Sequence, residues 1–206
     1  MKKVIYSVIT GGYDVLMPAP KFPGWDVVMF TDEMPDNAKG WELRAIPPSD
    51  NPVLKSREVK ILSHVFLPKY DLVCYMDANQ KIILEPPSHP ARFYHPRRQT
   101  IFQEARQIII NGRFMEDEIN EQIGYYIDQG YEDQGLFLNG FSVRDNKDHK
   151  MNYLHDIWYE ETTRFTPRDQ LSLPYAIWKT GIQLSGLRER QCYSVVQKAH
   201  PQIYSK

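Results

Sequence analysis

The chain has 206 residues, and its 25 Lys and Arg against 26 Asp and Glu leave a net charge of -1. That balance excludes a global electrostatic attraction to nucleic acid or an anionic membrane, while leaving room for a local basic groove. The length suits one substantial core, so a single domain over residues 1–206 is expected, and no apolar run is long enough to span a membrane. Cys74 and Cys192 read as unpaired thiols, which points to a reducing compartment. The start, Met1 to Tyr6, has too short an apolar run for a signal peptide, so a cytoplasmic location is the expectation.

In chain order, Val4 to Ile9 reads as a buried strand that breaks at Thr10-Gly11-Gly12-Tyr13-Asp14. Two glycines after a strand allow a sharp turn and close approach of a ligand, but neither a P-loop nor a dinucleotide fingerprint is present. A proline-rich connector, 18–24, leads to a second strand, Trp25 to Phe30, that closes on Thr31-Asp32. Asp32 either offers a carboxylate to a base or ribose or caps the following turn. Trp41 to Ile46 is a third, edge-type strand, stopped by Pro47-Pro48.

Ser56 to Phe66 predicts a helix with Ser56 as its N-cap. Arg57, Lys60 and His64 fall at i, i+3 and i+7, a stripe that is wholly basic or titratable. It reads either as a phosphate-recognising face or as an ordinary solvated one. Leu72 to Met76 is a short apolar strand that ends in Asp77-Ala78-Asn79. On an extended segment two side chains two apart point the same way, so Asp77 and Asn79 would aim two oxygen donors at a shared Mg²⁺ or Mn²⁺. Alternatively both residues start a turn.

Lys81 to Leu84 reads as another short strand, and the loop beyond it carries His95-Pro96-Arg97-Arg98, set against substrate rather than metal. Residues 101–123 read as helical with a break at Gly112. Gly135 to Val143 is a buried strand interrupted by Asn139-Gly140, a pair that marks a bulge or a ligand's close approach. Lys150 to Glu161 is an amphipathic helix, and a further helix runs to Trp178 from Arg168-Asp169-Gln170, where Asp169 is an N-cap candidate. The tail from Gln191 has little regular pattern.

Together, Thr10-Gly11-Gly12-Tyr13-Asp14, Phe30-Thr31-Asp32, Ser56 to His64, Tyr75-Met76-Asp77-Ala78-Asn79 and Arg168-Asp169-Gln170-Leu171 resemble GT-A-fold glycosyltransferases. The likeness is to the family of plant mucilage- and turgor-related glycosyltransferases with bacterial or viral relatives, distantly akin to the retaining family 8 enzymes. The resemblance implies an α/β fold: one GT-A-like (Rossmann-like) domain with a mixed, mostly parallel central sheet flanked by helices. It implies a UDP- or GDP-sugar donor at the carboxyl ends of the central strands. Thr10, Gly11 and Tyr13 would meet base or ribose with Asp32 nearby, and Arg57, Lys60 and His64 the pyrophosphate side.

Asp77 and Asn79 take the place of an Asp-x-Asp metal motif, and His200 is the late candidate to complete a Mn²⁺ or Mg²⁺ shell. Asn139, Gly140, Asp169 and Gln170 would line the sugar and acceptor side, with His95 and Arg97 toward a glycan, small-molecule or modified nucleic-acid acceptor. Asn79 departs from the motif and removes one negative charge, which weakens metal affinity. That departure keeps a second reading open, a non-catalytic nucleotide- or glycan-binding domain of the same fold. A nucleotidyltransferase fits less well, because the Thr10 to Asp14 turn is not basic.

Overall fold

In the computed structural model, residues 1–112, 114–184, 186 and 193–195 are described, the last three as backbone. Eight strands and six helices follow in order: β1 Lys3–Ile9, β2 Trp25–Thr31, β3 Glu42–Ala45, α1 Pro52–Ile61, α2 Ser63–Phe66, β4 Leu72–Met76, β5 Gln80–Ile82 and β6 Ala91–Tyr94. Then come α3 Ile101–Ile110, α4 Glu116–Asp128, β7 Phe137–Asp145, α5 His149–Arg164, α6 Asp169–Thr180 and β8 Tyr193–Val195.

Six strands form one sheet in the order β3-β2-β1-β4-β7-β6. The first three pairings are parallel, whereas β7 runs antiparallel to β4 and β6 antiparallel to β7. The mixed, mostly parallel sheet expected from the sequence is therefore the one observed. Its central strands are apolar throughout because both faces are covered. On the back, Val4, Tyr6, Val8, Val28, Phe30, Val73 and Tyr75 pack with Val59 of α1 and with Phe66 of α2. On the front, Ile5, Met29, Leu72, Cys74 and Phe141 pack with Leu16, Ala19, Phe22 and Trp41. The proline-rich connector thus does a helix's covering work, and its backbone is tied down by Trp41 Nε1 donating to Met17 O at 2.8 Å.

Beyond the sheet, α6 lies between two further clusters. Leu171 and Tyr175 join α3 and α4 residues, Tyr175 stacking on Tyr126 at 3.9 Å between centroids, while Leu173, Ala176 and Ile177 meet Leu154 and Trp158 of α5. Every α6 residue from Asp169 to Ile177 is buried, including Pro174, whose ring cannot donate to the Gln170 carbonyl one turn back.

Several boundaries differ from the sequence reading. α1 begins at Pro52, not Ser56, because Asn51 Oδ1 accepts from Leu54 N at 3.0 Å and Pro52 occupies the first turn, where its missing N–H costs nothing. It also stops at Ile61, and His64 belongs to the separate short helix α2. Residues 91–94, read as loop, form β6. β5 leaves the main sheet to pair antiparallel with β8. The break near Gly112 holds, giving α3 and α4.

Candidate functional site

Thr10, Asp32 and Asp77 each follow the carboxyl end of a parallel strand, so one edge of the sheet gathers them. At the β1–β2 corner, Gly11 N donates to both carboxylate oxygens of Asp32, at 3.0 and 2.9 Å. Gly11 has φ +59°, and a Cβ there would come within 2.9 Å of the Pro52 ring, so conformation and space both demand glycine. Thr10 is buried, and its hydroxyl donates to Pro52 O at 2.7 Å, pinning the start of α1. A cavity of about 220 Å³ opens beside this turn, lined among others by Gly12, Asp14, Thr31, Glu33 and Leu43.

The basic stripe expected on one exposed helix face is split. Lys60 is buried with 4% exposure and its ammonium lies 2.7 Å from Asp169 Oδ2 and 3.7 Å from Asp77 Oδ1. Arg57 stays partly open, donating from Nε to Pro167 O at 3.2 Å with Asp169 Oδ1 at 3.7 Å. His64 points elsewhere: its Nε2 is 3.0 Å from Asp156 of α5.

Lys60 is held in place from behind. Its own carbonyl, in the last turn of α1, accepts from Tyr6 Oη at 2.6 Å and Arg144 Nη2 at 2.7 Å, while Arg144 Nη1 reaches Ile61 O at 2.9 Å. A guanidinium against the final carbonyls is the favourable end of the helix dipole. Burial pushes the Lys60 ammonium pKa down, and the Asp169 and Asp77 carboxylates offset only part of that. Burial likewise pushes the Asp169 carboxyl up, but Lys60 and Arg57 outweigh it and hold Asp169 well below the ordinary range. For Arg57 burial works against the charge, and Asp169, Tyr75, Asp77 and Tyr13 outweigh it. One guanidinium therefore couples electrostatically to both Tyr13 and Asp77.

Asp169 is not the N-cap of α6. Arg168 takes that place without a capping side chain, and Asp169 sits in the first turn with 3% exposure. Its backbone oxygen accepts from Asn139 Nδ2 at 3.0 Å and Trp158 Nε1 at 2.9 Å. Asn139 Oδ1 in turn accepts from the buried Arg92 at 3.1 Å. Both ends of the Asn139 amide are thus spent, one on α6 and the other on Arg92 of β6. Gln170 Nε2 donates to Phe137 O at 3.1 Å, and Arg168 donates to Gln170 Oε1. Arg168 also forks onto the buried Glu104, which Arg98 engages from the other side. His95 accepts through Nδ1 from the backbone of Arg97 and Arg98, at 3.2 and 2.9 Å. Arg97 is exposed beside it.

The expectation that Asp77 and Asn79 share an extended direction is overturned. Asp77 to Gln80 is a tight turn closed by Gln80 N donating to Asp77 O at 2.9 Å, so Asn79 lies at its tip. Asp77 keeps 35% side-chain exposure, with Oδ1 accepting from Tyr75 Oη at 2.8 Å. Its Oδ2 turns toward Gly140, where an added Cβ would come within 2.7 Å of it and also collide with the Gln80 amide. The interruption expected at Asn139-Gly140 is real. Asn139, Gly140 and Phe141 bulge between the Phe93–Leu138 and Arg92–Ser142 pairings with β6, while Phe141 still pairs with Met76 of β4. Among the described residues no three His, Cys, Asp or Glu side chains gather as a metal site. His200 lies outside the described residues.

Sequence reading missed Tyr75, Gln80, Arg92, Arg144 and Glu104. Arg92 and Arg144 carried a usable signal, since a charge inside an apolar strand must find buried partners.

The TOD1/MUCI70 glycosyltransferase-like domain matches residues 47–186, which include Arg57, Lys60, Asp77, Asn139 and Asp169. The chain belongs to that family. TOD1/MUCI70 membership gives it a glycosyltransferase-type function in general, with a sugar donor and an acceptor. No curated protein matches the chain. No described helix is long and apolar enough to cross a membrane.

Proposed function

We propose that the chain transfers a sugar from a nucleotide-diphospho-sugar, UDP- or GDP-linked, to a glycan, a small molecule or a modified nucleic acid. The observation that carries this reading is the Asp77–Lys60–Asp169 triplet at the carboxyl edge of β4, with one carboxylate partly exposed and the other buried. The cavity by Gly12 and Asp14 offers room for the base, and Arg57, whose charge Asp169 and Asp77 favour, would meet the pyrophosphate. Asp77, partly exposed, would be the carboxylate that meets a hard divalent ion, Mn²⁺ or Mg²⁺, shared with substrate phosphates. Such an ion, when bound, would neutralise charge on the departing nucleoside diphosphate.

The remaining work falls to the chain. Arg57 adds positive charge on the leaving-group side. Asp169, ionised and fixed by Lys60, has the sign that favours an oxocarbenium-like sugar, a feature that the retaining transfer suggested by the family 8 likeness shares with inverting transfer. Asn139, Trp158 and Gln170 hold that carboxylate's helix against β7 and α5. His95 and Arg97 would border the acceptor.

The test is a thermal-shift panel of UDP, GDP, CDP and ADP, with and without Mn²⁺. A ligand at about 100 times its Kd stabilises by about 2.7 kcal/mol, which such a scan resolves. One nucleotide shifting the transition supports the donor site and names the base, whereas no shift with any of them defeats it. A non-catalytic binding domain is the second reading, favoured by Asn79 in the motif. It predicts nucleotide binding without consumption of any nucleotide-sugar.

A further inference from the structure

The α3–α4 pair is apolar on two sides. Its inner side, with Ile101, Ile108, Ile119 and Tyr126, packs with Leu171 and Tyr175 of α6. Its outer side holds a groove of about 330 Å³, walled among others by Phe102, Arg106 and Ile110 of α3 and by Glu116, Asn120 and Ile123 of α4. Phe102 and Ile110 are 42% and 66% exposed, and Met115 and Ile127, at the two ends of α4, are 68% and 55% exposed. Scattered single apolar side chains are normal on a surface, but four on one helix pair around a groove mark a face that another surface covers.

The groove also carries one cation and one anion. Arg106 and Glu116 stand on opposite walls, and neither makes a hydrogen bond or an ion pair among the described residues. A basic peptide laid in the groove would oppose Arg106, and an acidic one would oppose Glu116. A second copy of the chain satisfies both charges at once. Contacts across a two-fold axis are reciprocal, so Arg106 of each copy can meet Glu116 of the other.

We propose that the groove between α3 and α4 is the interface of a two-fold homodimer, with α3 of each copy set against α4 of the other. Phe102 and Ile110 supply apolar area, and the two Arg106–Glu116 pairs fix the register. Setting α4 against α3 also keeps the exposed acidic residues Asp117, Glu118 and Glu121 away from their own counterparts, where like charges would oppose the contact.

Sedimentation velocity on the full chain, over about 1–100 μM, reads the balance of monomer and dimer. A dimer that grows with concentration is expected. Ile110→Glu is expected to weaken it about tenfold or more. Arg106→Glu and Glu116→Arg, each alone, set like charges together twice per dimer and are expected to weaken it about tenfold. An equal mixture of those two variants regains both opposite-sign contacts, so its mixed dimer is expected to form within about twofold of the parent. Pairing within one chain could not be regained by mixing. All three positions are exposed, and circular dichroism checks that each variant folds.

A parent that stays monomeric to about 100 μM would overturn the proposal and leave the groove to a different partner. A dimer indifferent to all three substitutions would overturn it by moving the contact elsewhere. So would a mixture that associates no more tightly than either variant alone.

Discussion

Two carboxylates share the Lys60 ammonium and live in opposite surroundings. Asp169 has 4% side-chain exposure, lies 2.7 Å from Lys60 and is fixed through its backbone by Asn139 and Trp158. Asp77 has 35% exposure, lies 3.7 Å from the same nitrogen and spends one oxygen on Tyr75. Burial makes the Asp169 pair strong only because it is complete: both charges would be costly alone, so each requires the other. Asp77 keeps access to water and hence to an incoming cation or phosphate. The difference separates a fixed charge from an available one.

Lys60→Met should have the largest effect, because it strands Asp169 in the interior with only the more distant Arg57. A loss of about 3–5 kcal/mol is expected, read by urea unfolding. A loss under about 1 kcal/mol would mean that Asp169 is not dependent on Lys60. Asp77→Ala should do the reverse: sugar transfer should fall about a thousandfold while the unfolding midpoint moves little. Equal transfer by parent and variant would put the available charge elsewhere.

Acid titration probes the fixed carboxylate by a smaller margin. Lys60 and Arg57 outweigh burial and hold the folded Asp169 pKa below its unfolded value of about 3.9. The unfolded chain therefore binds the proton first. Stability from Asp169 is complete above about pH 4 and declines by about 1.4 kcal/mol per unit as pH falls toward the folded value. Asp169→Asn should flatten that decline, and an unchanged slope would remove Asp169 from the balance. Arg57→Ala, at a partly open group, should weaken nucleotide binding by only about tenfold. Unchanged affinity would separate Arg57 from the pyrophosphate.

The sheet was legible in the sequence because parallel strands buried on both faces leave continuous apolar runs. Leu72 to Met76 is one, and it matches β4 at both ends. The cap of α1 was misplaced by five residues since Ser56 and Asn51 are both good caps, and only Pro52 at the first turn favours Asn51. At the site, the Asp77 turn and the Asn139-Gly140 interruption were visible as residue types. What stayed hidden is long-range: Lys60 reaches Asp169 across 109 positions of chain, and no local pattern encodes such a pairing.

The β7 bulge has a consequence for which length changes the chain tolerates. Side chains alternate along a strand, so losing one residue from Asn139 to Phe141 while Ser142 to Asp145 kept their other pairings would slip one segment against the other. Were Ser142 to Asp145 the segment that slipped by one residue, Arg144 would turn from the α1 carbonyls toward the front core and Val143 would leave that core. Deletions there should be as damaging as core substitutions. The loop at 129–135 is no more permissive, since Tyr131 packs with Tyr126 and Tyr175 and Asp133 Oδ2 accepts from Ile101 N at 3.3 Å.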